Sequence, residues 1–282
     1  MRRTIAIAAC ATAVAAVTAV GAAPAQAAAP NPVAALKAQF KTGLGVKFSD
    51  KFLVGKQIMT RRTGTFQFGR AGVAASDIST KFNLKAAEIA AMPEDIQPVL
   101  KPEQVIKIGS VAYIKGGMFG NYMPEDKTWL RAPGGPAGGL TAIFGQFLNP
   151  TEPMTLQKLV KKAKRTGSVY TGKITLGEVY TTSKWIQSYL ERPTAAQKKS
   201  VVSYKLYVNA KGLVTRVVTT TKAATLGLTG MPVITADTKY VGWGAKVSIK
   251  APTEGIAEID ELDLSSLEEM SAPLSKVVGK AA

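Results

Sequence analysis

The stretch that decides the fold runs from Val201 to Pro252, VVSYKLYVNAKGLVTRVVTTTKAATLGLTGMPVITADTKYVGWGAKVSIKAP. Its first residues alternate apolar and polar side chains, the period of two that is typical of a strand with one buried face. Asn209 to Gly212 predicts a hairpin turn, because Asn bonds back to the chain and Gly supplies a positive φ. Three further strands complete an antiparallel meander: from Leu213, Val233 to Val241, and Ala245 to Ala251.

The N-terminus predicts a secretory signal peptide over residues 1–27. Two arginines precede an uncharged run from Ile5 to about Gly21, and Ala25-Gln-Ala27 offers a cleavage site. A retained membrane anchor is the alternative, but the run is mostly alanine and is interrupted by glycine and Pro24. We expect an exported protein that is secreted or extracellular, either free or associated with the cell wall.

The exported chain lacks two reactive residue types. The sequence has no histidine, and its single cysteine, Cys10, lies in the predicted leader. This excludes disulfides, thiol nucleophiles, Ser-His-Asp catalysis and zinc bound by His or Cys. No nucleotide-binding motif stands out either, so we expect a non-enzymatic protein that uses no cofactor and no metal.

The charge is strongly basic and unevenly distributed. The net charge is +17, and it falls to +15 when the two leader arginines are removed. Residues 254–282 form an acidic tail with seven acidic residues and two lysines. Export and the lack of a recognisable module argue against nucleic acid. The charge favours an anionic membrane surface or a cell-wall polymer as partner, and general solubilisation is the alternative.

Residues 139–166 predict a helical insert after the glycine-rich linker from Pro133 to Gly139. Two amphipathic helices are expected, each with an apolar face and the second also with a cationic face. The apolar residues are Leu140, Ile143, Phe144, Phe147, Leu148, Leu156, Leu159 and Val160. The cationic residues are Lys158, Lys161, Lys162 and Lys164. One interpretation is that the helices simply cap the core. The alternative is that they form a mobile lid over a ligand cavity, and that the lysines of the lid dock on a membrane.

The remaining chain predicts strands and short helices within a single domain over residues 28–282. Trp129 is expected to be a buried core anchor. Short helices are predicted over 31–40 and 84–92. Strands are predicted over 45–52, 63–68, 73–82 and 104–115, and the sheet is expected to resume over 172–190.

Several motifs, taken in order, resemble one family. They are GTFQFG (64–69), IGSVAYIKG (108–116), KTWLR (127–131), YVNAKGLVTR (207–216) and TKYVGWGAKVSIKAP (238–252). The chain is similar to the actinobacterial LppX/LprAFG-type lipoproteins, which have a LolA-like fold. The resemblance implies an α+β fold: an incomplete antiparallel β-barrel of about ten or more strands covering a few short helices. It also implies a cavity for acyl chains, and lipid transport rather than catalysis. Members are typically anchored through an N-terminal cysteine, whereas we expect Cys10 of this chain to be discarded with the leader, which favours a freely secreted or wall-associated form.

Two functions remain open at this point. The first is a monomeric carrier that holds a lipid or lipidated ligand between the curved sheet and the helices. The second is a wall-associated structural or signalling module with the same fold and no ligand cavity. Large aromatic side chains in the space between sheet and helices would favour the second.

Overall fold

The computed structural model describes residues 30–94, 96–226, 230 and 232–262. The predicted signal peptide, and the acidic tail after residue 262, lie outside the described residues. The strands are β1 (Leu44–Val54), β2 (Gln57–Gly69), β3 (Gly72–Phe82), β4 (Glu103–Ile108), β5 (Val111–Gly116), β6 (Trp129–Pro133), β7 (Lys164–Thr166), β8 (Val169–Thr175), β9 (Val201–Val208), β10 (Val214–Lys222), β11 (Val233–Lys246) and β12 (Ile256–Ala257).

All twelve described strands belong to one curved, unclosed sheet. Their order is β12-β6-β5-β4-β3-β2-β1-β11-β10-β9-β8-β7, and neighbours are antiparallel except for the parallel pair β12 and β6. The two end strands are not paired with each other. The predicted class, an α+β incomplete antiparallel barrel covering short helices, is therefore confirmed.

The predicted meander forms β9, β10 and β11. Along β9 the residues alternate between buried and more exposed positions. The turn also forms as predicted: the Asn209 side-chain oxygen accepts hydrogen bonds from the backbone N–H of Lys211 and Leu213, each at 3.0 Å. Gly212 has a φ of 79°. One prediction was wrong, because the two expected last strands are a single strand, Val233–Lys246, whose register shifts between the pairs Lys47–Val241 and Gly45–Ala245.

Six α-helices occur in the described residues: α1 (Pro32–Ala38), α2 (Ala86–Ala90), α3 (Pro153–Lys162), α4 (Leu176–Tyr180), α5 (Lys184–Gln187) and α6 (Ala195–Lys198). Short 3-10 helices cover Gln97–Leu100, Gly117–Asn121, Leu140–Phe144, Ala223–Leu226 and Ile259–Glu261. The prediction that the sheet continues to residue 190 was wrong. Thr175 and Glu178 form a capping box that ends β8 and starts α4.

The core lies between the inner face of the sheet and the helices, and aromatic rings fill much of it. Phe48 stacks on Phe66 with ring centroids 5.0 Å apart. Phe144 from the 3-10 helix meets Phe52 edge-on at 5.9 Å. Trp129 was wrongly predicted as a buried anchor, because it is half-buried at the end of the sheet, with the Lys115 ammonium over its ring.

Candidate functional site

The first predicted lid helix does not form. Residues Leu140–Phe144 make a short 3-10 helix, and the chain is irregular from Gly145 to Glu152. Two tertiary contacts hold this conformation. Glu103 accepts hydrogen bonds from the backbone N–H groups of Leu140 and Thr141, and Gly145 lies so close to the Arg62 guanidinium that a Cβ there would clash with it. In place of the predicted α-helix, an irregular segment packs against side chains of the sheet.

The second predicted helix is confirmed as α3, Pro153–Lys162. It begins after Glu152, and the hydroxyl of the preceding Thr151 donates to Asn149 Oδ1 at 2.8 Å. It also ends earlier than expected, because the chain enters β7 at Lys164.

Most of the eight predicted lid residues lie in the core. Phe144, Phe147, Leu148, Leu156 and Leu159 are at most 4% exposed, Ile143 and Val160 are half-buried, and Leu140 is 39% exposed. Phe144 packs against both Phe52 and Phe82 of the sheet. In the described part of the chain, none of the eight lines the cleft that follows.

An open cleft lies between the β2–β3 turn and the segments that begin α3 and α5. It encloses about 890 Å³. Its walls combine small and apolar residues with few charges. The described lining includes Phe66, Gly69, Arg70, Ala71, Gly72, Val73, Ala74, Ala75, Ser76, Lys107, Gly109, Ala137, Asn149, Thr151, Glu152, Pro153, Met154, Thr182, Lys184, Trp185 and Ser188. Five stretches that are separated in sequence therefore form one largely apolar recess.

Trp185 forms a rigid part of the cleft wall. Its indole meets Phe66 edge-on, with ring centroids 6.0 Å apart. Its ring N–H donates to the Gln146 carbonyl at 2.9 Å, and its backbone N–H donates to Glu152 at 2.8 Å. Because both nitrogen donors are engaged, the apolar ring is held in one orientation.

Glu152 joins the start of α3 to the start of α5. Its carboxylate accepts hydrogen bonds from the hydroxyls of Ser183, at 2.5 Å, and Thr155, at 3.1 Å, as well as from Trp185. Burial raises the pKa of Glu152, although these hydrogen bonds oppose the shift. These hydrogen bonds connect the start of α3 to the start of α5, so the Glu152 side chain has a structural role.

A buried ion pair, which the sequence patterns above did not predict, lies behind Trp185. Asp50 and Arg62 are opposite each other in β1 and β2, with the carboxylate oxygen 3.5 Å from Arg62 Nε. Arg62 donates to the Ala142 carbonyl at 3.3 Å, and its guanidinium lies 5.7 Å from the Trp185 ring centroid. Asp50 accepts from the Gln146 backbone N–H at 2.7 Å. The pair thus ties the sheet to the segment that replaces the first lid helix.

This polar cluster is incompletely hydrogen-bonded. Among the described residues, the buried side-chain atoms that lack a hydrogen-bond partner are Asp50 Oδ1, Arg62 Nε and Nη2, and Gln146 Nε2, although Arg62 Nε stays in the ion pair with Asp50. A signal for the pair did exist in the sequence. Asp50 is in phase with Phe48 and Phe52 along its strand, so a period-two reading places its side chain in the core.

A second buried acid holds the same segment. Glu103 accepts hydrogen bonds from the Thr141 hydroxyl at 2.6 Å, from the Thr141 N–H at 3.3 Å and from the Leu140 N–H at 3.4 Å. Burial raises the pKa of Glu103, and the hydrogen bonds from Thr141 and Leu140 partly offset this.

The four predicted docking lysines lie on α3 and at the start of β7. Lys158 is half-buried, and Lys161, Lys162 and Lys164 are exposed. Lys162 pairs with Glu178, with Nζ 2.6 Å from Oε2. The bond from Lys162 and the amide of Thr175 lower the pKa of Glu178 to about 2.

Neither a metal-binding cluster nor a membrane-spanning helix occurs among the described residues. They contain no group of three or more His, Cys, Asp or Glu side chains placed to bind a metal ion. No helix among them is both long enough and apolar enough to cross a membrane.

Comparison with known proteins gives similarity at the level of structure. No protein-family model and no curated protein matches the sequence. LprF from Mycobacterium bovis is 13% identical, with 80% of this chain and 99% of that chain covered at a TM-score of 0.37. A LolA superfamily protein from Nitrosomonas europaea is 6% identical, with 77% and 93% covered at a TM-score of 0.28. The chain is similar to these proteins, and its fold is described from the observed sheet alone.

Proposed function

We propose that this protein is an exported, non-enzymatic carrier of lipid or another acylated ligand, and that the cleft beside Trp185 holds the acyl part. The observation that supports this most directly is the cleft itself. Its volume of about 890 Å³ lies in the range of roughly 300–1,000 Å³ that is usual for small-molecule sites. Phe66 and Trp185 give it an apolar wall.

The energetics explain why a carrier needs such a recess and no energy source. Each methylene loses about 0.8 kcal/mol when it is exposed to water, so ten methylenes cost about 8 kcal/mol. A chain buried both in the bilayer and in the protein exchanges between two environments of similar free energy. Catalytic groups and cofactors are then unnecessary.

The predicted lid residues have a supporting role in this proposal. Buried Phe144, Phe147 and Leu148 anchor the segment over the inner face of the sheet, and Leu156 and Leu159 anchor α3. A longer acyl chain would have to displace this segment from the sheet, because aromatic rings such as Phe48 and Phe66 fill the space beneath it. The lysines on α3 would attract the protein to an anionic membrane or cell-wall polymer.

Native mass spectrometry with organic extraction of the purified protein tests the carrier function. We expect a stoichiometric adduct that the extract identifies as an acylated lipid. Ala74 lines the cleft, so Ala74→Trp should reduce the adduct and the uptake of a fluorescent fatty acid. Ala210→Trp, at the exposed turn after β9, is the matched control and should bind normally.

The second candidate is a wall-associated binding module without a ligand. The aromatic packing between the sheet and the helices favours it, because rings such as Phe48, Phe66 and Phe144 occupy space that an acyl chain would need. If both wild type and Ala74→Trp show the mass of the unmodified chain and take up no fatty acid, this second function is supported and the carrier function is excluded.

A further inference from the structure

The mouth of the cleft exposes two large apolar side chains on opposite chain segments. Val73, just after the β2–β3 turn, is 41% exposed, and Met154, in the first turn of α3, is 64% exposed. Both line the cleft. Side chains of this kind are usually buried, and two of them beside an apolar recess indicate a contact surface rather than scattered exposure.

Cations flank these apolar residues. Arg70, in the β2–β3 turn, and Lys184, the first residue of α5, are exposed and line the same cleft. The lining acid, Glu152, faces inward to the Ser183 hydroxyl and the Trp185 amide. The mouth is therefore positive on its outer side.

The cationic face of α3 continues from this mouth. Met154, Lys158 and Lys161 stand at positions i, i+4 and i+7, which lie on one face of an α-helix. Leu156 and Leu159 are fully buried on the other side of the helix. At a rise of about 1.5 Å per residue, Lys161 stands about 10 Å along the axis from Met154.

From this arrangement we propose that Arg70, Val73, Met154 and Lys184, here called the lip residues, dock the protein on an anionic lipid bilayer with the cleft facing the membrane. Apolar side chains that enter the headgroup region and cations that stay beside the lipid phosphates are the usual combination at a membrane interface. This inference rests on the proposed carrier function, for which it supplies the route: an acyl chain would pass from bilayer to cleft without crossing water.

The test is binding to vesicles made of equal parts phosphatidylglycerol and phosphatidylcholine, compared with phosphatidylcholine alone. Wild type should bind the anionic vesicles and bind the neutral ones weakly. Arg70→Gln with Lys184→Gln should weaken binding about tenfold or more at low salt, and high salt should reduce the difference.

The apolar residues are tested separately. Val73→Ser with Met154→Ser should weaken anionic vesicle binding severalfold at any salt concentration. Val201→Ser with Val233→Ser is the matched control, because these valines are 49% and 46% exposed and are not among the described residues of the cleft. Lys173→Gln with Lys205→Gln, on exposed residues of β8 and β9, controls for net charge.

The outcomes separate this proposal from the carrier function. Lip variants that lose vesicle binding but still take up fluorescent fatty acid from solution support both. If wild type takes up no fatty acid and the lip variants still lose vesicle binding, the carrier function fails and the docking surface stands. Wild type that ignores anionic vesicles, or lip variants that bind like wild type, overturn the docking surface. The docking surface is also overturned, in favour of a polyanionic wall polymer, by a combination of two results. Soluble polyglutamate would abolish vesicle binding completely, and Val73→Ser with Met154→Ser would bind the vesicles like wild type.

Discussion

Asp50 and Arg62 face each other in the core, and both side chains are fully buried. Removal of one partner leaves the other charge buried without compensation, which typically costs about 3–5 kcal/mol. We expect Arg62→Met and Asp50→Leu each to lower the free energy of unfolding in urea by about this amount. The double variant should lose less than either single variant, and a loss equal to the sum would contradict a coupled pair.

Glu103 predicts an unusual pH dependence. Its pKa is raised by burial, so the folded state retains a proton that the unfolded state releases. The free energy of unfolding should therefore rise on acidification from neutral pH toward the ordinary glutamate pKa of about 4.3, by at most about 1.4 kcal/mol per pH unit for one proton. Glu152, whose pKa burial also raises, adds in the same direction.

The variant Glu103→Gln should flatten this slope in urea titrations at several pH values. The control Glu125→Gln, at an exposed site, should leave the slope as in wild type. No histidine titrates in this range to obscure the comparison. Equal slopes for wild type and Glu103→Gln would refute the assignment, because Glu178, whose pKa is lowered to about 2, acts in the opposite direction in both proteins.

The sheet elements carry a prediction about association. β7 is an end strand of three residues, all of them exposed, and two of them are Lys164 and Arg165. Charged, short end strands discourage pairing with other chains. Lys164→Val with Thr166→Val should therefore produce oligomers in size-exclusion chromatography with light scattering. Lys173→Val with Lys205→Val, in strands with partners on both sides, should remain like wild type.

The elements also show how far sequence patterns reach. The β9–β10 hairpin and the Asn31 cap of α1 were predictable because neighbouring residues alone determine them; the Asn31 side chain accepts from the Val33 amide at 2.9 Å. The conformation of the segment after Gly139 was not predictable, because its backbone amides donate to Glu103, some 38 residues away in sequence. Apolar spacing identified the buried residues there but not the backbone conformation.

At the scale of the whole molecule, the cleft could not be predicted from any single stretch. Its wall joins Phe66, Met154 and Trp185, which lie on three separate segments. The sequence indicated a hydrophobic site on the helical insert, yet the described cleft opens where the insert meets the β2–β3 turn. The curvature of the sheet and the order of its strands bring the insert next to the β2–β3 turn, and both are properties of the complete fold.

The engagement of Trp185 has a practical consequence. The chain has three tryptophans, and Trp185 is the one among the described cleft residues, while Trp243 stacks on Phe68 and Trp129 lies under Lys115. In the double variant Trp129→Phe with Trp243→Phe, Trp185 is the only tryptophan left, and its fluorescence emission should shift when an acyl chain enters the cleft. The control Ala210→Trp cannot be combined with this variant, because it adds a second tryptophan. Fluorescence without any added label would then time the loading and release of cargo, so that the rate of transfer between two membranes becomes directly observable.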